Sequence, residues 1–210
     1  MKIAVIGANG KAGQLIGKEG IKRELDLTAI VRGKNKSNAS NVLIKDVLEL
    51  DKKDLENFDV IVSAVGGGTH KTSEIILDSV VHLSNLLENQ DTRLLIVGGA
   101  SSLYINPDHT KTVADITKFP EELVPVVKAH DRTLATLRRN KSVKWTYISP
   151  AGDFQAEGER TGKYILGGEE LMLNSKGEGV ISYADYAIAV IDEIESGKHI
   201  MQRISVVEDR

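Results

Sequence analysis

The chain has no cysteine among its 210 residues, and this absence removes a whole set of chemistries. Disulfide bonds, thiol nucleophiles and thiolate metal ligands are excluded, because each requires a cysteine sulfur. Any redox chemistry must therefore come from a bound cofactor. Four histidines also lack the spacing that metal ligands require, which argues against a metal site. They are His70, His82, His109 and His199.

Long apolar runs and a strong net charge are also missing. The N-terminal apolar run ends at Gly7, and no stretch approaches the roughly 20 apolar residues that a membrane span requires. The formal net charge is -3, so no overall basic field exists to attract nucleic acid or an anionic membrane. These absences predict a cytoplasmic protein with neither a nucleic acid nor a membrane as partner.

What the sequence does contain is an alternation of predicted strands and helices. Strands are expected near 2–6, 27–31, 42–45, 59–64, 93–97 and 144–148, and helices near 11–23, 71–88, 121–139 and 183–194. Continuous apolar runs such as 60–62 and 94–97 are typical of strands buried on both faces. This order predicts an α/β fold of the Rossmann-like, doubly wound type with a mostly parallel sheet.

The length of the chain and the lack of a linker favour a single domain over residues 1–210. After Pro150, glycines interrupt short apolar pieces up to the last predicted helix. We expect residues 151–182 to form hairpins and loops beside the sheet, as a lid or substrate-side subregion of the same domain. The sequence leaves the oligomeric state open.

The first predicted strand runs directly into GANGKAG, which places three glycines at a strand-to-helix turn. Backbone N–H groups of such a turn approach a pyrophosphate closely, and the following helix directs its positive end at the same anion. In this position the spacing G-x-x-G-x-x-G predicts a dinucleotide site rather than a tight turn without a ligand. The residues assigned to the site are Gly7, Asn9, Gly10, Lys11, Ala12 and Gly13.

The end of the second predicted strand bears on the choice between the two nicotinamide cofactors. An acidic residue there accepts a hydrogen bond from the ribose 2′-hydroxyl of NAD, whereas an arginine accommodates the 2′-phosphate of NADP. Arg32 lies at this position, followed by Lys34 and Lys36. The sequence therefore favours NADP(H), although an Arg32 that stacks on adenine or faces water is compatible with NAD.

Further loops follow the next predicted strands at the edge of the sheet where ligands of such folds bind. Asp46 and Val47 close the third strand and are expected to flank the adenine. The other loop residues assigned to the cofactor are Ala64, Val65, Gly66, Ala100 and Ser101, and Gly67 and Gly68 extend the loop after the fourth strand. Each of these segments is also compatible with an ordinary loop.

These residues resemble the atypical short-chain dehydrogenase/reductase superfamily, in particular its NAD(P)H-binding group with the NADH-flavin reductases and biliverdin reductase B. The resemblance covers most of the chain and is carried by residues 7–13, 30–32, 97–104, 145–150, 158–164 and 181–187. The last two segments are most similar to the flavin reductases. The resemblance also assigns Pro150 and Ala151 to the cofactor site.

The usual catalytic pair of this superfamily, a tyrosine with a lysine four residues later, is missing. None of the five tyrosines has a lysine at that spacing, and the residue four positions before Lys128 is Val124. Oxidation of an alcohol or epimerisation of a sugar needs a base for the hydroxyl proton. Flavin reduction does not need this base, because the remaining proton can come from solvent.

By resemblance to biliverdin reductase B, Ser101 and His130 are the candidate catalytic residues. A second active-site histidine of that enzyme falls here at about Ala151, which argues against biliverdin and favours a flavin or quinone-like acceptor. From the residues alone, Ser101 is equally suited to capping a nearby N–H group, and His130 to a solvated position.

The sequence thus predicts an NAD(P)H-dependent oxidoreductase that transfers hydride from the nicotinamide to a small planar acceptor. FMN or FAD is expected as a substrate rather than as a tightly bound group. Two alternatives share the glycine pattern: a non-catalytic NADP(H)-binding redox sensor of the NmrA-like kind and, with less support, a sugar epimerase or dehydratase.

Overall fold

Strands and helices alternate along the chain, and the computed structural model describes residues 1–66 and 72–209. The strands are β1 (Lys2–Ile6), β2 (Asp26–Val31), β3 (Asn41–Ile44), β4 (Val60–Ser63), β5 (Arg93–Val97), β6 (Lys144–Ser149), β7 (Asp153–Gln155), β8 (Tyr164–Gly167), β9 (Val180–Ser182) and β10 (Gln202–Glu208). The helices are α1 (Lys11–Lys22), α2 (Lys52–Leu55), α3 (Glu74–Leu86), α4 (Val113–Ile116), α5 (Val124–Arg139) and α6 (Tyr183–Ser196). None of the described helices is long and apolar enough to cross a lipid bilayer.

The main sheet has eight strands in the order β3-β2-β1-β4-β5-β6-β10-β8. Its neighbouring strands are parallel except for the antiparallel pair of β10 and β8. Strand order reverses between β1 and β4, which opens a crevice at their carboxyl ends where ligands of doubly wound folds bind. The predicted Rossmann-like α/β class is confirmed.

Two apolar layers cover the sheet, because successive side chains of a strand point to opposite faces. In β1, Ile3 and Val5 pack with residues of α1 and α6. Ala4 and Ile6 of the same strand pack with residues of α3 and α5. Burial on both faces explains why the parallel strands are continuous apolar runs.

The strands and helices that the sequence predicts are all present, with boundaries shifted by at most a few residues. The expectation of hairpins within residues 151–182 is wrong. There β7 pairs in parallel with β9, and β8 joins the main sheet beside β10. The sequence analysis also missed β10, because Arg203 and Ser205 interrupt its apolar residues. Gly67, Gly68 and His70 lie outside the described residues.

The position of β10 inside the sheet, between β6 and β8, predicts a large difference between the effects of two isoleucine truncations. Ile204 in β10 is 2% exposed, whereas Ile44 in the edge strand β3 is 63% exposed. Ile204→Ala should lower the free energy of unfolding by about 2–5 kcal/mol, because it leaves a cavity in the core. Ile44→Ala removes the same atoms from the surface and should change it by less than about 0.5 kcal/mol. Urea denaturation measures both, and equal effects would contradict the placement of β10.

Candidate functional site

The turn between β1 and α1 is packed so closely that glycine is required at two of its positions. Gly7 has a φ of +78°, and a Cβ there would lie 2.7 Å from the carbonyl oxygen of Ala64. A Cβ at Gly13 would lie 2.4 Å from the carbonyl oxygen of Gly7. No side chain caps the helix N-terminus at Gly10, so the first N–H groups of α1 are available to an anion.

A cavity of about 690 Å³ lies at the carboxyl ends of β1, β2 and β4, beside this turn. Its volume is within the range of about 300–1,000 Å³ that is usual for small-molecule pockets. Among its lining residues are many of those assigned from the sequence, namely Gly7, Asn9, Gly10, Arg32, Asp46, Val47, Ala64, Val65 and Gly66. Residues from four separate loops therefore meet at one cavity, as the order of the strands predicts.

Further lining residues were not assigned from the sequence. They are Ile6, Ile30, Val31, Gly33, Lys45, Thr72, Glu74, Ile75 and Asp78. Four of these come from the start of α3 and the residues before it, which follow β4 at the strand-order reversal. Ligands of such folds bind at the carboxyl ends of the strands, and a search that included the helix after β4 would have found these four residues.

Among the lining residues that the structure describes, one exposed cation has a charge that is not already compensated. Lys45 donates a hydrogen bond of 2.6 Å to the carboxylate of Asp54, and this bond raises the pKa of Lys45. Arg32, in contrast, makes no side-chain hydrogen bond or ion pair with residues 1–66 or 72–209. Its guanidinium is thus free to bind an anionic ligand at the end of β2.

Asn9 connects the glycine turn to the loop that follows β2. Its side-chain amide donates to the carbonyl oxygen of Lys34 at 2.9 Å, and its side-chain oxygen accepts from the N–H of Lys36 at 2.7 Å. Gln14 in turn holds the carbonyl oxygen of Asn9 at 2.8 Å. The side chain of Asn9 therefore fixes the Lys34–Lys36 segment relative to the turn.

The remaining residues of the glycine pattern lie at the start of α1. Ala12 and Gly13 belong to its first turn, and Gly13 is buried. Lys11 extends toward residues 151–182 and pairs with Glu157 at 3.0 Å. Because both side chains are largely exposed, this ion pair contributes little to stability.

Ser101 and His130 lie at the same edge of the sheet, where β5 ends. A Cβ at Gly99 would lie only 3.0 Å from Cγ of His130, so the loop after β5 runs directly against the imidazole. Ser101 donates a hydrogen bond of 2.7 Å to Oδ1 of Asp131, the residue next to His130 on α5. The two predicted catalytic residues thus lie near each other, since Ser101 bonds the residue that follows His130 on α5.

Burial lowers the pKa of His130 to about 4, so its imidazole is neutral at neutral pH. Nδ1 of the ring lies 3.2 Å from the hydroxyl of Tyr147, which also accepts the N–H of Gly99 at 2.9 Å. Burial raises the pKa of Tyr147, which therefore stays protonated. This contact places His130 in a packed network and not in open solvent.

Pro150 and Ala151 follow β6 at the same edge of the sheet, and both are buried. Ala151 belongs to the apolar layer that contains Ile181 and Tyr186. The hydroxyl of Tyr186 donates to the carbonyl oxygen of Ile148 at 2.7 Å and ties α6 to the end of β6. Ala151 therefore contributes apolar packing at the position where the resemblance to biliverdin reductase B would place a histidine.

Sequence reasoning missed Asp131 and Tyr147 as members of this network. Tyr147 was considered only as part of a tyrosine–lysine pair and lacks the lysine. Nothing in the sequence marks Asp131, since its contact with Ser101 depends on how α5 packs against the sheet. Spacing along the chain does not reveal such contacts.

Comparison with known proteins identifies the family. Residues 7–196 match the model of a family described as NAD(P)H-binding. The Bacillus subtilis protein YwnB is 41% identical over 211 residues, which span 100% of this chain and 99% of that protein.

Solved structures agree in fold. A Streptococcus pneumoniae protein described as a putative NADH-flavin reductase is 48% identical, with a TM-score of 0.96 and 100% of both chains covered. A Bacteroides thetaiotaomicron protein described as a putative epimerase is 33% identical, with a TM-score of 0.85 and 100% and 97% covered. With its fold and glycine turn, the chain belongs to the NAD(P)H-binding family of atypical short-chain dehydrogenase/reductase-like proteins.

Proposed function

We propose that the protein is an NAD(P)H-dependent oxidoreductase that passes hydride to a flavin or a quinone-like planar acceptor. The observation that carries the proposal is the cavity in which the glycine turn meets Arg32, a cation without a side-chain partner among the described residues. The relative from Streptococcus pneumoniae, whose description names a flavin reductase, supports the choice of acceptor. Arg32 favours NADPH over NADH as the hydride donor.

The described residues fit a dinucleotide at this cavity. The closely packed turn from Gly7 to Gly13 and the first N–H groups of α1 suit a pyrophosphate, because no side chain caps this helix N-terminus. We assign Arg32 to the 2′-phosphate and Asp46 and Val47 to the adenine. Lys11 and Ala12 are assigned to the phosphates.

The second half of the proposed site runs along the ends of β4, β5 and β6. We assign Ala64 to Gly66, Ala100, Ser101, Pro150 and Ala151 to the nicotinamide half of the cofactor. When bound, the reduced nicotinamide supplies the hydride, while the protein supplies alignment and excludes water. We further propose that residues 151–182 select the acceptor.

His130 and Ser101 are the proposed catalytic residues. Because its pKa is about 4, His130 offers the acceptor an uncharged imidazole over the whole neutral range. Ser101 lies within the same loop as Gly99, which approaches the imidazole closely. The absence of a tyrosine–lysine pair disfavours sugar epimerisation, which needs a base for the hydroxyl proton.

An acceptor screen with both dinucleotides tests the reaction. The purified protein should oxidise NADPH when FMN, FAD or a quinone is added, and the loss of reduced-nicotinamide absorbance measures it. Ser101→Ala and His130→Ala should each lower kcat. Tight dinucleotide binding without turnover of any acceptor would refute the oxidoreductase and favour the redox sensor.

Cofactor preference should depend on Arg32. Arg32→Ala should raise the KM for NADPH by about tenfold or more, because a hydrogen bond to a charged group is worth about 1.5–3 kcal/mol. The KM for NADH should change little. Lys18→Ala removes the same charge from an exposed position of α1 and serves as the control. Equal effects of Arg32→Ala on both dinucleotides would contradict the assignment of Arg32 to the 2′-phosphate.

Asn9 should matter through the loop it holds. Asn9→Ala removes both bonds to the Lys34–Lys36 segment and should weaken NADPH binding by at least about fivefold, since each bond contributes about 0.5–1.5 kcal/mol. Asn38→Ala changes an exposed asparagine of the same loop and should leave the affinity unchanged. Fluorescence titration with NADPH measures both variants. If they behave alike, Asn9 does not position this loop for the cofactor.

A further inference from the structure

Ser101 and Asp131 form a hydroxyl–carboxyl pair that neither the family description nor the sequence assigns. Ser101 follows β5 and is 6% exposed, and Asp131 lies on the first half of α5. Their oxygens are 2.7 Å apart, with Ser101 as the donor. A hydroxyl has one proton, so an ionised Asp131 leaves Ser101 able only to accept hydrogen bonds from a ligand.

The groups around Asp131 leave its carboxyl without a direct counter-ion. Within residues 1–66 and 72–209 it forms no ion pair. Arg203 of β10 is the nearby cation, but its guanidinium donates to Ser102 at 3.0 Å and pairs with the carboxylate of Glu169. Tyr147 of β6 also faces this region and stays protonated.

The same surroundings affect the ionisation of Asp131. Burial raises its pKa, while the hydrogen bond from Ser101 and the charge of Arg203 act in the opposite direction. Its neighbour His130 stays neutral and adds no compensating charge. The carboxyl therefore holds its proton to a higher pH than an ordinary aspartate.

We propose that Asp131 and Ser101 form a proton-delivery pair for the reduction, an inference that rests on the proposed function. When Asp131 is protonated, its carboxyl becomes the donor across the 2.7 Å contact: it gives its proton to Oγ of Ser101, while the Ser101 hydroxyl proton passes to the acceptor. The receiving atom is a carbonyl oxygen or ring nitrogen conjugated to the atom that gains the hydride. The resulting carboxylate regains a proton from water, so one hydride and one proton are added per turnover.

This pair provides what the missing tyrosine–lysine pair would otherwise supply. On α5 the position four residues before Lys128 is Val124, so the helix presents no phenol there. The hydroxyl comes instead from the loop after β5, and the group that controls its proton comes from α5. Ser101 is then the catalytic residue, and Asp131 is the residue that positions and supplies its proton.

The pH dependence of turnover tests the pair in the complete protein. With NADPH and a quinone, kcat should be constant at low pH and fall about tenfold per pH unit above the pKa of Asp131. Asp131→Asn should lower the low-pH kcat at least about tenfold and remove this dependence, and Asp131→Glu should restore part of both. Asp26→Asn, at the opposite end of the sheet, should keep the wild-type profile.

A titration without cofactor gives a second reading that does not depend on activity. Carbon-13 NMR of the aspartate carboxyls should show Asp131 titrating above the ordinary value of about 3.9. Ser101→Ala should move this midpoint further up, because the hydrogen bond that favours the carboxylate is lost. If Asp131 titrates at the ordinary value and Ser101→Ala leaves this midpoint unchanged, the proposed proton-delivery pair is overturned, whatever the activity of the protein.

The outcomes separate the pair from the proposed function. Turnover that is independent of pH, or an Asp131→Asn variant with the wild-type profile, overturns the pair and leaves the reductase intact. No turnover with any flavin or quinone overturns the reductase and the pair with it. A variant that unfolds is recognised by circular dichroism, and Asp131→Glu and the Ser101→Ala titration then decide the question.

Discussion

The backbone packing of the turn after β1 is the constraint on which the rest of the site depends. At Gly7 and Gly13 an added Cβ would lie within 2.7 Å of a backbone oxygen, a distance that no side chain can relieve by rotating. The end of β4 and the start of α1 can both pack this closely against the turn only because these positions lack side chains. The approach leaves the first N–H groups of α1 facing the crevice where strand order reverses.

From this turn the contacts extend in two directions. Asn9 holds the loop after β2, which carries Arg32 on the cavity wall. Lys11 reaches Glu157 in the segment that we propose selects the acceptor. On the other side of the crevice, Gly99 brings the loop after β5 against His130, so close backbone approach shapes both halves of the site.

The sequence was informative where a local pattern determines the structure. Buried parallel strands are continuous apolar runs, and the ends of such strands meet at one edge, which is why Arg32, Asp46 and Ala64 line the same cavity. The sequence did not predict β10, because this strand contains the buried Arg203. Contacts with Ser102 and Glu169 compensate the burial of this arginine. A role for Asp131 was also not predicted, because only tertiary packing brings this residue to Ser101.

Calorimetric titration of NADPH into Gly13→Ala, Gly17→Ala and the wild-type protein tests the central claim most directly. Both variants add one methyl group to α1, but a Cβ at Gly17 would meet only a side-chain carbon of Leu27 at 4.0 Å. The wild type and Gly17→Ala should bind NADPH with similar affinity, and Gly13→Ala should bind at least about tenfold more weakly, a loss of about 1.4 kcal/mol. Undiminished binding by Gly13→Ala, or no binding by the wild type, would contradict the account.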